Sequence, residues 1–235
     1  TNDRFRNINP HFAPSGDSLL FVSNRNGSYE NWEMGIDGGG LRQLTEGWAT
    51  FTPPVGRPVT GGYLACNITT EQWYMLSQNA EKVRLEDVTA MPKVNMETGD
   101  WLHPMACSSD GKRAVGIVYR ARTAASEPLS TIAIGIFNFE TKTYTTHPIS
   151  SIEIGTNNPL TLTPDESHAI FADSKQIMAI NLDTGKVTRI LEVETQALQV
   201  CTITTEGYLY YSTTRDERNI WLSEIDDVPI QTTDN

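Results

Sequence analysis

The sequence predicts an all-β fold, a β-propeller built from four-stranded antiparallel blades, and three observations support this. First, apolar residues alternate with small or polar ones over short segments, which is the pattern of half-buried strands. Second, the segment "NPHFAPSGDSLLFVSNRNG" at 9–27 returns as "PMACSSDGKRAVGIVY" at 104–119 and "PLTLTPDESHAIFAD" at 159–173. Third, the spacing of the repeated turns fits units of roughly 40 to 50 residues, the period of propeller blades.

The repeats align on a turn that separates the first two strands of each blade. In the aligned repeats, one position of this turn is occupied by Gly16, Gly111, Glu166 and Gly207. The second strands that follow are "SLLFVSN", "KRAVGIVY", "SHAIFAD" and "GYLYYST". Third strands come next, then Asp- and Gly-rich hairpin turns, whose residues tolerate positive φ angles. Outer strands such as "LRQLT", "KTYTTH" and "KVTRIL" complete the units.

Read in order, these elements give one propeller domain of five blades. The blades occupy approximately 1–45, 46–90, 91–150, 151–194 and 195–235, and the second is a weaker copy of the unit. The segment "DVPIQTTD" at 227–234 is the expected fourth strand of the last blade. Five blades could close as a small ring or form part of a six- to eight-bladed one, because an open fan would expose strand edges.

Charge and composition exclude some classes of function. The chain carries 29 acidic and 18 basic residues, a formal charge of −11, and this argues against nucleic-acid binding. No segment approaches the roughly 18 apolar residues of a membrane span. Cys66, Cys107 and Cys201 lie far apart in strand-like segments, so buried free thiols are favoured over a disulfide framework or a zinc site.

The segment "FAPSGDSLLFVSNRNGSYENWEMGIDGGGLRQLT" at 12–45 resembles the TolB-type propeller repeat. Good matches recur at 104–119 and 159–192, and partial ones at 46–88 and 196–226. The resemblance implies the propeller fold. It leaves the function open, because such repeats occur in binding scaffolds, in peptidase gating domains and in sugar-active enzymes. Within the repeat, the Pro, Ser, Asp and Gly residues are expected to form the turn and to carry no chemistry.

The sequence contains no nucleophile elbow, no HExxH motif and no P-loop, and its four histidines are dispersed. In the aligned repeats, one position at the start of the first strand nevertheless holds a polar residue in three blades. These side chains could surround one end of a propeller channel. With neighbouring residues, this position gives a predicted ligand-binding surface of Trp48, Asp100, Trp101, His103, Asn158 and Gln199. No catalytic residue, metal ligand or cofactor is assigned.

Two functions remain open. The first is non-catalytic binding of a protein, peptide or glycan at the channel mouth, which the small and apolar residues of the first strands favour. The second is a carbohydrate-active enzyme, or the propeller of a larger enzyme. "LTEG" at 44–47 and "SSDGKRAVGIVY" at 108–119 resemble oligogalacturonate lyases, which implies β-elimination on pectic oligosaccharides at a manganese site. The family's metal ligands are not assigned here, because no histidine follows His168.

The compartment is predicted from weaker signals. The chain is acidic, starts without a signal-peptide pattern and carries TolB-type repeats. These features favour the periplasm or the extracellular space over the cytoplasm.

Overall fold

The computed structural model describes most of the chain, and all structural statements concern that part. The described residues are 3–13, 15–50, 52, 55–57, 62–67, 70, 72–76, 82–84, 88–122, 124, 127, 130–149, 160–173, 176–192, 198–204, 207–214 and 218–224. They form nineteen β-strands. Within these ranges there is no helix with the length and apolar character needed to cross a membrane.

The strands form antiparallel sheets in which chain neighbours pair, as in propeller blades. The first sheet has the order β1 (Asn7–Phe12), β2 (Ser18–Ser23), β3 (Glu30–Gly35) and β4 (Arg42–Gln43). The second has β5 (Val55–Arg57), β6 (Gly62–Asn67), β7 (Gln72–Leu76) and β8 (Thr89–Ala90). The third has β9 (Trp101–Cys107), β10 (Arg113–Tyr119), β11 (Thr131–Asn138) and β12 (Thr143–Pro148).

Two further sheets follow in the chain. The fourth has the order β13 (Thr161–Leu162), β14 (His168–Asp173), β15 (Gln176–Asn181) and β16 (Val187–Glu192). The last has three described strands, β17 (Leu198–Ile203), β18 (Tyr208–Thr214) and β19 (Arg218–Glu224). The prediction of an all-β propeller is confirmed, with four complete blades described in place of the predicted five. The segment 227–234, predicted as the missing fourth strand, lies outside the described residues.

The turn that aligned the repeats has one geometry in four sheets. Gly16, Gly111, Glu166 and Gly207 all adopt positive φ, at 75°, 66°, 56° and 87°. In each case the backbone N–H of this residue donates to the carbonyl three positions earlier, at 2.8–3.0 Å. Glu166 therefore occupies a backbone conformation that favours glycine, because the turn imposes it on the whole repeat.

Two of the aspartates in these turns, Asp110 and Asp165, are structural, as the sequence predicts. The Oδ1 atom of Asp110 accepts hydrogen bonds from Ser108 Oγ at 2.6 Å and from the Lys112 backbone N–H at 2.9 Å. Asp165 accepts in the same way from Thr163 Oγ1 and the Ser167 backbone. The hydrogen bond from Thr163, followed by those from the side chain and backbone of Ser167, lowers the pKa of Asp165 to about 2. In these two repeats the aspartate thus closes the turn.

The chain divides into two compact units, each with its own buried cluster. One unit comprises Thr1–Ala121 with Phe137–Tyr144, and the other comprises Arg122–Ile136 with Thr145–Asn235. The cluster of the first unit is formed by Ala13, Leu20, Leu44, Trp48, Tyr63, Ala65, Tyr74, Leu76 and Val83. The cluster of the second is formed by Ile170, Ala172, Ile177, Ala179 and Leu209.

Candidate functional site

The candidate site lies on β9, the first strand of the third blade. This strand is at the edge of its sheet, in the order β12-β11-β10-β9. Because successive side chains of a strand point to opposite faces, Trp101 and His103 share one face and Leu102 and Pro104 the other. Leu102 and Pro104 are buried, whereas Trp101 and His103 remain partly exposed. The strand therefore presents two adjacent ring side chains from the same face.

Four rings surround this point and form what we call the aromatic cluster: Trp73, Trp101, His103 and Tyr119. The His103 ring centroid lies 4.9 Å from that of Trp73 on β7 and 6.1 Å from that of Trp101, with which it is nearly parallel at 20°. Tyr119 on β10 packs 5.1 Å from Trp101 and 6.0 Å from His103. Since Trp73 and Tyr119 are at most 2% exposed, they support the two partly exposed rings from the interior.

A β-bulge sets the position of His103. Ala106 pairs with Val115 and Pro104 pairs with Gly116, so Met105 is the extra residue on β9. At the bulge the backbone of β9 comes so close to Gly116 that a Cβ there would collide with the carbonyl of His103. The glycine thus permits the close approach of the strands that holds the His103 backbone.

Asp100 directly precedes β9, and its side chain is buried instead of facing solvent. Its side chain accepts a hydrogen bond from the Ala121 backbone N–H at 3.1 Å, and its carbonyl accepts one from Val94 N–H at 2.8 Å. The residue is only 9% exposed. Asp100 therefore helps to position Trp101, the next residue, because its own backbone and side chain are held by Val94 and Ala121.

The imidazole of His103 is neutral at physiological pH. Burial among the surrounding rings lowers its pKa to about 4, because a charged imidazolium loses hydration there. No residue in the described part of the chain hydrogen-bonds its ring nitrogens. In contrast, the Nε2–H of His147 donates to the Leu182 carbonyl at 2.8 Å. His103 thus offers one donor and one acceptor that no described residue uses.

This lowered pKa predicts a loss of stability in acid. The unfolded chain takes up a proton near pH 6.5, whereas the folded chain resists protonation until about pH 4. The contribution of His103 is therefore fully present above pH 6.5 and is lost as the pH falls towards 4. We expect this effect to lower the free energy of unfolding by about 2 kcal/mol as the pH falls to 4. The figure is smaller than the full pKa shift implies, because the ring is partly exposed.

The measurement is the free energy of unfolding at pH 7.5, 6.0, 5.0 and 4.5 for the wild type and for His103→Phe. The variant, which keeps a ring and cannot titrate, should lose less stability than the wild type on acidification. Two parallel pH profiles would contradict the assignment of a depressed pKa to His103.

Trp48, also predicted on the surface, is fully buried at 0% exposure. Its ring packs edge-to-face on Tyr74 at a centroid distance of 5.1 Å, within the buried cluster of the first unit. Its backbone N–H donates to the Glu30 carboxylate at 3.1 Å. The indole of Trp48 is thus a packing element of the core and offers no exposed surface to a ligand.

The other two predicted residues stay predictions. Asn158 lies outside the described residues. Gln199 lies on β17 at an irregularity in the pairing with β18, and only its backbone is described.

The sequence analysis named neither Tyr119 nor Trp73 among the candidate site residues. The sequence did contain a signal for Tyr119. A hairpin folded about the turn at 110–111 places Tyr119 opposite Trp101, and the observed strand register has this pair. No comparable signal linked Trp73 to His103, because their sheets are separated by an irregular connection.

Metal ligation finds no support in the described residues. They contain no group of three or more His, Cys, Asp or Glu side chains arranged to hold a metal ion. The aromatic cluster contributes one such side chain, His103, and its remaining members are poor metal ligands. The manganese-dependent lyase alternative therefore remains an untested prediction.

No protein-family model matches the sequence, and no curated protein matches it either. Several solved structures, in contrast, match the fold of this chain. A structure described as TolB from Agrobacterium tumefaciens has a TM-score of 0.65 at 15% identity, over 90% of this chain and 71% of that one. TolB from Acinetobacter baumannii has a TM-score of 0.61 at 14% identity, over 92% of this chain and 50% of that one.

A nidogen/laminin complex also contains a similar fold, with a TM-score of 0.59 at 10% identity, over 88% of this chain and 72% of that one. At such identities the likeness concerns the fold alone, because one fold serves many functions. The chain has a TolB-type β-propeller fold, as its repeats predict.

Proposed function

We propose that this chain is a non-catalytic binding module whose ligand site is the partly exposed surface of Trp101 and His103. The observation that carries the proposal is the pair of nearly parallel rings, 20° apart, on the edge strand β9. In propellers the first strand of a blade lines the central channel, so ligands reach such residues at the channel mouth. A protein segment, a peptide or a glycan could lie across these rings.

The rigidity of the pair supports binding. Trp101 is held by Tyr119 beside it and by Asp100 before it, and His103 is held by Trp73 and by the bulge. A ring that is already fixed loses little conformational entropy when a ligand covers it. Binding at this site therefore costs less conformational entropy than binding to mobile side chains would.

The chemistry of the site favours binding over catalysis. A neutral imidazole with a pKa of about 4 is a weak base, and Asp100 is committed to the Ala121 backbone. The propeller of the nidogen/laminin complex comes from a complex between proteins, which makes a protein ligand one candidate. We further propose, from the TolB-type fold, that the module acts in the periplasm or outside the cell.

Substitution of Trp101 tests this function. Trp101→Ala removes the larger of the two partly exposed rings, and we expect it to weaken ligand binding at least about tenfold, because a central aromatic contact contributes 1.4 kcal/mol or more. The matched control is Tyr210→Ala, which removes a ring that is 37% exposed on β18 and should change binding less than about twofold.

The measurement is calorimetric titration with the tightest binder from an oligosaccharide panel and a peptide library. Near-ultraviolet circular dichroism checks that both variants are folded. If the tightest binder bound wild type and Trp101→Ala equally, the ligand site would lie elsewhere and the proposal would fail.

A further inference from the structure

We propose that the ligand of the Trp101–His103 surface is a neutral carbohydrate, with a sugar ring stacked on Trp101 and a hydroxyl group hydrogen-bonded to the imidazole of His103. This inference rests on the proposed function and names its ligand class. Three features of the aromatic cluster carry it: the stacking ring, the unused polar atoms and the absence of charge on the imidazole.

The stacking ring is Trp101. The indole is partly exposed, and Tyr119 packs against it at a centroid distance of 5.1 Å with the rings tilted by 40°. The C–H groups of a sugar ring carry partial positive charge and pack on the negative face of an aromatic ring. A fixed indole therefore provides a platform for a pyranose without any charged partner.

The unused polar atoms distinguish a sugar from an apolar ligand. Within the described residues the His103 ring nitrogens have no hydrogen-bond partner, and the Tyr119 hydroxyl and Trp73 Nε1 are buried without one. An apolar side chain covering His103 would leave its donor and acceptor unsatisfied, at about 1–3 kcal/mol each. Adjacent sugar hydroxyls both donate and accept, so they match a neutral imidazole.

Two of these polar atoms, the Tyr119 hydroxyl and Trp73 Nε1, lie in the interior of the cluster. Tyr119 is 0% exposed and Trp73 is 2% exposed, and buried polar groups in folded proteins are normally hydrogen-bonded. Their rings lie within 6.0 Å of the His103 ring. Ordered water is the usual partner of such buried atoms, so the sugar hydroxyl group is assigned to the partly exposed imidazole of His103 alone.

The charge of the site favours a neutral sugar over a uronate. His103 is uncharged, and the chain carries a formal charge of −11 that repels polyanions at long range. Arg120 directly follows Tyr119 at the end of β10, and it is exposed. An exposed guanidinium is screened by solvent and salt, so it favours an acidic ligand only weakly.

The experiment compares three probe classes on the whole chain by calorimetric titration at pH 7.5. The first is a panel of neutral trisaccharides of glucose, galactose, mannose and N-acetylglucosamine; the second is trigalacturonate; the third is a set of aromatic tripeptides. Each is titrated into the wild type, Trp101→Ala, His103→Phe and the control Tyr210→Ala. His103→Phe keeps a ring at this position and removes only its polar atoms.

We expect at least one neutral trisaccharide to bind, about tenfold more weakly to Trp101→Ala and about fivefold more weakly to His103→Phe, with Tyr210→Ala unchanged. Tripeptide binding that depends on Trp101, without saccharide binding, would overturn the carbohydrate assignment and leave the binding function standing. Tighter binding of trigalacturonate than of every neutral sugar would overturn the neutral class. Binding of no probe that depends on Trp101 would overturn both proposals.

Discussion

Glu30→Ala is expected to reduce the free energy of unfolding by about 4 kcal/mol, the largest effect of any single substitution considered for this chain. Glu30 is a carboxylate at 0% exposure on β3. It accepts hydrogen bonds from Thr45 Oγ1 at 2.7 Å, from Gly47 N–H at 2.8 Å and from Trp48 N–H at 3.1 Å. Ser28 Oγ donates a further one at 3.0 Å.

The cost arises because the donors are left behind. Thr45 and Trp48 are both 0% exposed, so water cannot replace the lost acceptor without opening the core. Each buried donor without a partner costs about 1–3 kcal/mol, and hydrogen bonds to charged groups are the stronger kind. Because Glu30 ties the segment 45–48 to β3, its loss should also loosen the packing of Trp48 on Tyr74.

Glu46→Ala is the matched control. Glu46 lies in the same loop, its side chain is 46% exposed, and its ion pairs with Lys82 and Arg84 are long, at 3.9 Å each. An exposed pair of this kind contributes between about zero and 1 kcal/mol. Urea unfolding at pH 7.5 measures both variants. Equal unfolding midpoints for Glu30→Ala and Glu46→Ala would refute the role assigned to Glu30.

Gly116→Ala is expected to destabilise the protein by about 3 kcal/mol, because a single methyl group would force two paired strands apart. The added Cβ would meet the carbonyl oxygen of His103 and would lie 2.9 Å from the Cα of Pro104. Both obstacles are backbone atoms, which cannot rotate away as a side chain can. The substitution should therefore also displace His103 and weaken ligand binding.

Gly16→Ala separates this clash from the ordinary cost of replacing glycine. Gly16 has a φ of 75°, and a Cβ there would meet nothing within 4 Å. Its replacement should cost about 1 kcal/mol, from backbone strain alone, and should leave ligand binding unchanged. Unfolding and titration of both variants provide the comparison. Gly116→Ala with full stability would show that the strands at the bulge can separate freely.

Much of the fold was predictable because the determinants are local. The repeat was defined by one turn position, which is occupied by Gly16, Gly111, Glu166 and Gly207. All four residues share one backbone conformation, with positive φ. Period-two alternation located the strands around each turn. Asp110 and Asp165, which lie within this turn, were correctly interpreted as structural, because Asp side chains commonly satisfy backbone donors in turns.

The site was less predictable because it depends on contacts between blades. His103 was found through one position of the repeat alignment, and Trp101 was added as its neighbour at the start of the same strand. The burial of Trp48 could not be inferred in this way, because it follows from the hydrogen bonds of its backbone to Glu30, 18 residues away. The same limit applies to Trp73, whose contact with His103 joins the second and third blades.

The central claim, that Trp101 and His103 form the ligand-binding surface, is tested most directly by nuclear magnetic resonance of the unsubstituted chain. The indole N–H signals of its five tryptophans and the ring signals of its four histidines are followed while a neutral trisaccharide is added. We predict that the Trp101 and His103 signals shift and saturate together, while those of the buried Trp48 stay in place. Saturating shifts at other rings, with Trp101 and His103 unmoved, would contradict the account.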